Sequence, residues 1–177
     1  MDRPVDDYQE FVRSRSAALT RLAFWMSGNW HDAEEVVQDA LVKAYVRWPV
    51  EEHPDAYVRR IVVNGCRRRF RMRRREALVA ELPDTLELAG GAEAVFARRA
   101  LLTALASLSG RQRAVVVLRY RLDKPEAEVA AVLGCSVGTV KSQASKALAR
   151  LRGHPALAWQ EPGTPSRTGR EMPDGPA

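Results

Sequence analysis

The chain has little of what most reactive centres are built from. Its 177 residues include two cysteines, Cys66 and Cys135, and three histidines, His31, His53 and His154. Neither cysteine has a partner at metal-ligand spacing, which removes the basis for a cysteine-bound metal or a disulfide framework. The histidines are scattered near expected helix ends or beyond the last helix, and they read as surface residues. There is no glycine-rich phosphate loop, no carboxylate pair on a cleft and no nucleophile beside a histidine. No catalytic residue, cofactor or metal is therefore expected. Long apolar runs are missing too, since nothing approaches the roughly 20 residues of a membrane span. Residues 1–7 lack the apolar core of a signal peptide, so a cytoplasmic location away from membranes is expected. Lysine is scarce, with four against 24 arginines, and Ile61 is the sole isoleucine. That bias marks a GC-rich genome and reports on the host rather than on function.

What the chain does have is segregated charge. The formal net charge of +6 divides into +4 over residues 1–75, −5 over 76–97, +8 over 98–152 and −1 over 153–177. Two basic modules joined by an acidic connector point to two contacts with a polyanion. Strand patterning is nearly absent, and apolar residues repeat at helical period almost throughout. The fold class expected is all-α. Two small helical domains, 1–76 and 98–152, flank a flexible acidic linker at 77–97, and a Pro/Gly-rich tail at 153–177 reads as disordered.

Local signals divide these modules into helices. A first helix is expected over 6–26, carrying Phe11, Leu19 and Leu22 and ending at Gly28. A second opens at Asp32, with Asp32 as cap and Glu35 reaching back three residues later, and runs to about residue 47. After a loop at 48–54, Pro54 takes the first position of a third helix. Its apolar stripe is Val58, Ile61, Val62, Gly65 and Cys66. In the second module Leu101, Leu102, Leu105 and Leu108 define one helix. Ser109 and Gln112 form a capping box for the next, which continues to about residue 120.

The most informative stretch is 130–146, AAVLGCSVGTVKSQASK, which reads as a helix-turn-helix. Ala130 is small enough for two helices to cross, and Gly134 can take the left-handed conformation that ends the first of them. Ser136 can cap the second helix, and Val140 points back into the crossing. Val140, Ala144, Ala147, Leu148 and Leu151 form one stripe. The opposite face presents Thr139, Lys141, Ser142, Ser145 and Lys146. An ordinary helical hairpin would account for the Ala/Gly/Val pattern alone. The polar, basic outer face favours DNA reading.

A second basic feature lies between residues 67 and 75, where seven of nine residues are arginine, broken only by Phe70 and Met72. A solvated charge run is the plain explanation. In a chain that already carries a DNA-reading module, phosphate contact is the stronger one, supplying affinity and register rather than sequence choice. Asn64 sits at the edge of the apolar stripe, where its amide can reach a base edge or a local backbone group.

Four segments together resemble the extracytoplasmic-function group of the sigma-70 family of RNA polymerase sigma factors, over residues 8–152. Residues 32–45, DAEEVVQDALVKAY, look like the region 2.2 helix. Residues 56–64, AYVRRIVVN, with the arginine run, look like regions 2.3 and 2.4. Residues 108–120, LSGRQRAVVVLRY, resemble region 4.1. Residues 126–152, with VGTVKS and ALARLR, resemble region 4.2. The resemblance implies a protein that binds core RNA polymerase, at the β′ clamp helices and the β flap, and directs it to promoter DNA. It places Glu35, Gln38, Asp39 and Lys43 on the polymerase-binding helix. Arg60, Asn64, Arg67, Arg68 and Arg71 then fall at the −10 element, and Thr139, Lys141, Ser142, Ser145 and Lys146 at the −35 element. The loop at 48–55 occupies the place of a base-capturing loop, and the acidic linker that of a segment in the RNA exit path. An anti-sigma factor is a further partner that the resemblance admits. The chain departs from larger sigma factors in lacking a long acidic N-terminal region and a separate region 3. Its −10-facing helix also carries few aromatics besides Tyr57.

The competing reading is a helix-turn-helix regulator that works without polymerase, as response-regulator output domains do with nearly the same pattern. The N-terminal half opposes it, because a receiver domain needs alternating strands and helices with acids at strand ends. Neither is present.

Overall fold

The computed structural model describes residues 3–49, 53–76 and 92–158, and among these every regular element is helical. A first module holds α1 (Arg3–Ser27), α2 (Trp30–Tyr45) and α3 (Pro54–Glu76). A second holds α4 (Ala92–Ala106), α5 (Gly110–Val116), a π-helical turn (Val117–Arg121), α6 (Glu126–Leu133) and α7 (Val137–Arg152). A 3₁₀ turn, Pro155–Leu157, follows. Most of the expected linker, residues 77–91, and most of the expected tail, 159–177, lie outside the described residues. So do residues 50–52 of the expected base-capturing loop.

In the first module each helix buries one stripe at i, i+3, i+4 spacing. α1 contributes Leu19, Leu22, Ala23 and Met26, α2 contributes Val36, Val37, Ala40 and Ala44, and α3 contributes Val58, Val62 and Cys66. α2 and α3 approach closely at Gly65, where an added Cβ would sit 2.9 Å from Cγ1 of Val36. α3 begins at Pro54 as expected, with the His53 carbonyl accepting from the Ala56 and Tyr57 amides. The start of α2 corrects the sequence reading. Asn29, not Asp32, is the cap, and its Oδ1 accepts from the Asp32 amide at 3.0 Å. Asp32 is instead buried inside the first turn, 3.3 Å from Nε of Arg69. A neutral amide can cap while the carboxylate turns inward to a cation, and Glu35 follows it by pairing with Arg69 as well.

In the second module the capping box forms as read. Ser109 Oγ accepts from the Gln112 amide at 3.2 Å, and Gln112 Oε1 accepts from the Ser109 amide at 3.1 Å. The helix that follows does not stay α-helical to residue 120. It widens into the π turn, where the Leu122 amide reaches the Val117 carbonyl at 3.1 Å. Residues from Arg113 to Leu118 are all buried, the mark of a helix covered all round. α7 covers one side of α5, and α1 and α3 of the first module cover another. α4 starts at Ala92, within the stretch assigned to the linker. The first residues of the tail are also ordered: the 3₁₀ turn packs on α4, and His154 Nδ1 accepts from the Ala156 amide at 3.2 Å.

The modules are not merely tethered; they share a seam. At its centre Arg113 is 4 % exposed. Its Nε donates to the Leu105 carbonyl and its Nη1 to the Met26 carbonyl, both at 2.8 Å. The guanidinium carbon lies 4.5 Å from the centre of the Phe70 ring. Burial pulls its pKa down to about 10, which still leaves the charge in place at neutral pH. At one side of the seam a chain of alternating charges runs from Arg15 through Asp55 and Arg59 to Glu128 and Lys124. Arg121 lies over the Trp25 ring at 5.1 Å.

Arg113→Ala would remove the donor to the Met26 carbonyl and leave the Leu105 carbonyl with the Leu108 amide alone. At about 1–3 kcal/mol for a buried group left unsatisfied, urea unfolding should show a loss of roughly 1–3 kcal/mol. A loss below about 0.5 kcal/mol, the range of an ordinary surface change, would show that the seam does not depend on this side chain.

Candidate nucleic-acid interface

α6 and α7 meet through a turn whose geometry follows from three residues. Gly134 has φ +60, a left-handed conformation in which a side chain would be strained. It lets the Cys135 amide fold back to the Ala130 carbonyl at 3.0 Å. Ser136 then caps α7, accepting from the Thr139 amide at 3.2 Å. Val140, Ala144, Ala147 and Leu151 are buried, and Leu148 is half-buried. The inward stripe fixes the outward one. Lys141, Ser142, Ser145 and Lys146 are exposed together on one face. Thr139 is only half-exposed, and its hydroxyl lies 2.9 Å from that of Ser136, so it serves the cap. Lys141 Nζ is 3.7 Å from a Glu126 carboxylate across the turn. Arg150 and Arg152 occupy the last turn, where cations oppose the helix dipole.

On α3 the arginines divide by role. Arg69 is paired with Asp32 and Glu35 inside its own module, and the hydrogen bond with Glu35 holds its pKa above the usual value. Arg68 and Arg71 are exposed. Arg67 is half-buried, and burial together with the nearby Arg111 and Arg71 lowers its pKa. It also donates to Oδ1 of Asn64 at 3.3 Å, while Asn64 itself is exposed. Arg60 is exposed, 5.7 Å from the Tyr57 ring centre, beside a cleft of about 160 Å³ that α6 closes with Ala131 and Val132. The side chains of residues 73–75 lie outside the described residues.

The polymerase-facing residues expected on α2 share its outer side. Gln38, Asp39 and Lys43 are exposed, and Glu35 is half-exposed and engaged with Arg69. Sequence reasoning missed the apolar part of this surface. Val42 is 64 % and Val46 78 % exposed, with Tyr45 beside them. They lie off the stripe formed by Val36, Val37, Ala40 and Ala44, which is the signal that could have found them. Behind them Tyr8 donates to the Leu41 carbonyl at 2.9 Å, and its ring lies 5.0 Å from that of Tyr45 and 5.2 Å from that of Trp48. A groove of about 360 Å³ between α2 and α3 carries Glu35, Asp39, Lys43, Arg68 and Met72 around a floor of Val36, Ile61 and Gly65. Among the described residues no cluster of His, Cys, Asp or Glu is arranged to hold a metal. No helix among them is long and apolar enough to cross a membrane.

Comparison with known proteins finds two family matches along the chain. Residues 11–76 match the sigma-70 region 2 family, and residues 98–151 match the sigma-70 region 4 family. The chain is 38% identical over 149 residues to the RNA polymerase sigma-E factor of Streptomyces coelicolor, covering 82% of this chain and 84% of that protein. It is 33% identical to the ECF RNA polymerase sigma factor SigM of Mycobacterium tuberculosis, covering 81% and 74%. Among solved structures, the sigma factor RpoE of Bartonella quintana in complex with the anti-sigma factor NepR superposes with a TM-score of 0.68 at 25% identity. That match covers 86% of this chain and 99% of RpoE. CnrH in complex with the cytosolic domain of CnrY gives 0.58 at 27% identity, covering 82% of this chain and 84% of CnrH. With both family regions matched in order and relatives above 30% identity across most of its length, the chain belongs to the extracytoplasmic-function group of sigma-70 factors.

Proposed function

We propose that this sigma factor binds core RNA polymerase through the outer face of α2 and selects promoters with two surfaces. Asn64, Arg60 and the exposed arginines of α3 engage the −10 element. Lys141, Ser142, Ser145 and Lys146 of α7 enter the major groove at the −35 element, with Thr139 holding the helix start. The polymerase makes the RNA; this chain decides where. The observation that carries the reading is the capped helix-turn-helix, whose buried stripe leaves one uninterrupted polar and basic face. The anti-sigma factor NepR bound to RpoE in one of the solved structures supports a similar regulator here.

Geometry sets one condition. Elements 25 base pairs apart are separated by about 85 Å at ~3.4 Å per base pair. A closed body of about 140 residues has a radius of gyration of only about 14 Å. The chain from residue 76 to residue 92 reaches at most about 55 Å when extended. Reading both elements at once therefore requires the seam to part.

The direct test is run-off transcription with core polymerase of Streptomyces coelicolor, with and without this chain, followed by start-site mapping. Start sites that appear only with the chain are expected. Operator binding without polymerase and no new start site would favour the independent regulator.

Gln38→Ala combined with Asp39→Lys should weaken binding to core polymerase at least tenfold in a pull-down while leaving helicity unchanged. Undiminished binding would move the contact off this face.

Among promoters randomised at −35, Lys141→Ala or Lys146→Ala should relax preference at one position, at a cost of roughly 1–3 kcal/mol. Retention of the wild-type preference by both variants would leave these lysines as phosphate contacts only.

The arginines should separate by assay. Arg68→Ala with Arg71→Ala should lower the slope of log K against log salt by about 1.8 on duplex DNA, at ~0.9 per phosphate contact, without changing Tm. Arg69→Ala should lower Tm by several degrees through loss of its pairing with Asp32 and Glu35. A Tm loss confined to the first pair of substitutions would reverse these assignments.

A further inference from the structure

Lys43 came with the polymerase-binding helix by resemblance, but its surroundings point elsewhere. It stands on the rim between two concavities that share a floor of Ile61 and Gly65. On one side is the groove that holds Glu35 and Asp39. On the other is a basin of about 390 Å³, lined by Asn64, Arg67, Arg68 and Arg71 together with Lys43. That basin has four cationic side chains and no carboxylate in its wall.

We propose that this basin follows the phosphate backbone of one DNA strand at the −10 element, with Lys43 as a direct contact to one phosphate rather than a polymerase contact. The proposal rests on the reading of α3 as the −10 surface and deepens it. Three observations support it. Lys43 forms no ion pair among the described residues, and of the nearest acids in the adjoining groove Glu35 is engaged with Arg69. Arg67 is half-buried and feels the like charges of Arg111 and, within the basin, Arg71, and no carboxylate lines the basin, so a phosphate oxygen beside Arg67 and Arg71 offsets that repulsion. Asn64 spends its amide oxygen on Arg67 and keeps its nitrogen as a donor. The close crossing of α2 and α3 at Gly65 brings Lys43 to a wall otherwise built by α3.

The test uses full-length chain assembled with core polymerase, and forked DNA carrying a promoter from the mapped start sites. Lys43→Ala is compared with the unsubstituted chain and with Lys43→Arg, after circular dichroism confirms equal helicity. Two quantities are read: affinity for core polymerase, and the salt slope of DNA binding by the assembled complex. Lys43→Ala should leave core affinity within twofold. It should lower the slope by about 0.7, the value per phosphate on a single strand, and Lys43→Arg should restore it. An unchanged slope overturns the proposal, whether or not core affinity falls, and a several-fold loss of core affinity with that unchanged slope returns Lys43 to the polymerase face. Failure of the unsubstituted chain to bind core polymerase would instead overturn the parent reading.

Discussion

The buried guanidinium of Arg113 is the interaction on which the arrangement of the whole molecule turns. Its two hydrogen bonds end on carbonyls in the last turns of α1 and α4, one helix from each module. A cation at a helix C-terminus opposes the dipole there, and this one does so for two helices at once. Phe70 of α3 closes the third side with its ring face. Nη2 is buried without a hydrogen-bond partner in the protein, so the guanidinium's polar demand is met on two of its three nitrogens. With α1, α3 and α4 held around one charge, α5 is enclosed, and while the seam is closed the α6–α7 hairpin that packs on it keeps one direction.

Arginine does three separate jobs in this chain, and only position distinguishes them. Arg113 joins modules from inside a core, and Arg69 braces α3 against the first turn of α2. Arg68 and Arg71 are exposed and form no ion pair among the described residues. The same guanidinium is a structural pin where carbonyls or carboxylates converge on it, and is left open to an anion where they do not. The run at residues 67–75 is therefore not one feature but a helix distributing its side chains around a circumference.

Capping signals were legible in the sequence because they are local. Ser109 with Gln112, Gly134 and Ser136 each satisfy backbone groups within four residues, and each does so in the structure as read. Asp32 was misread for the opposite reason. Asn29 and Asp32 both offer a cap oxygen at a helix start. What separates them is Arg69, thirty-seven positions away in the chain, and no local pattern carries that information. The same holds for the seam. The sequence marks only a capped helix from Ser109 to about residue 120, and the burial of residues 113–118 on every side depends on α1 and α3 of the first module. The exposed Val42 and Val46 lie off the buried stripe of α2, and that position is visible in the sequence. At the nucleic-acid surface, the outward face of α7 followed directly from the inward one, whereas the different fates of the α3 arginines did not.

The distribution of amines adds a chemical consequence. Because arginine supplies the structural cations, the four lysines are left at few places: Lys141 and Lys146 on the outer face of α7, Lys43 at the rim of the basic basin, and Lys124 beside Glu128 at the seam. Acylation, which removes the charge of an amine and leaves a guanidinium alone, would thus fall mainly on the faces assigned to DNA. Arg113, Arg69 and Arg59 would keep their charges, and with them the fold. In this molecule the chemistry of side-chain nitrogen separates scaffold from reading surface almost as cleanly as its geometry does.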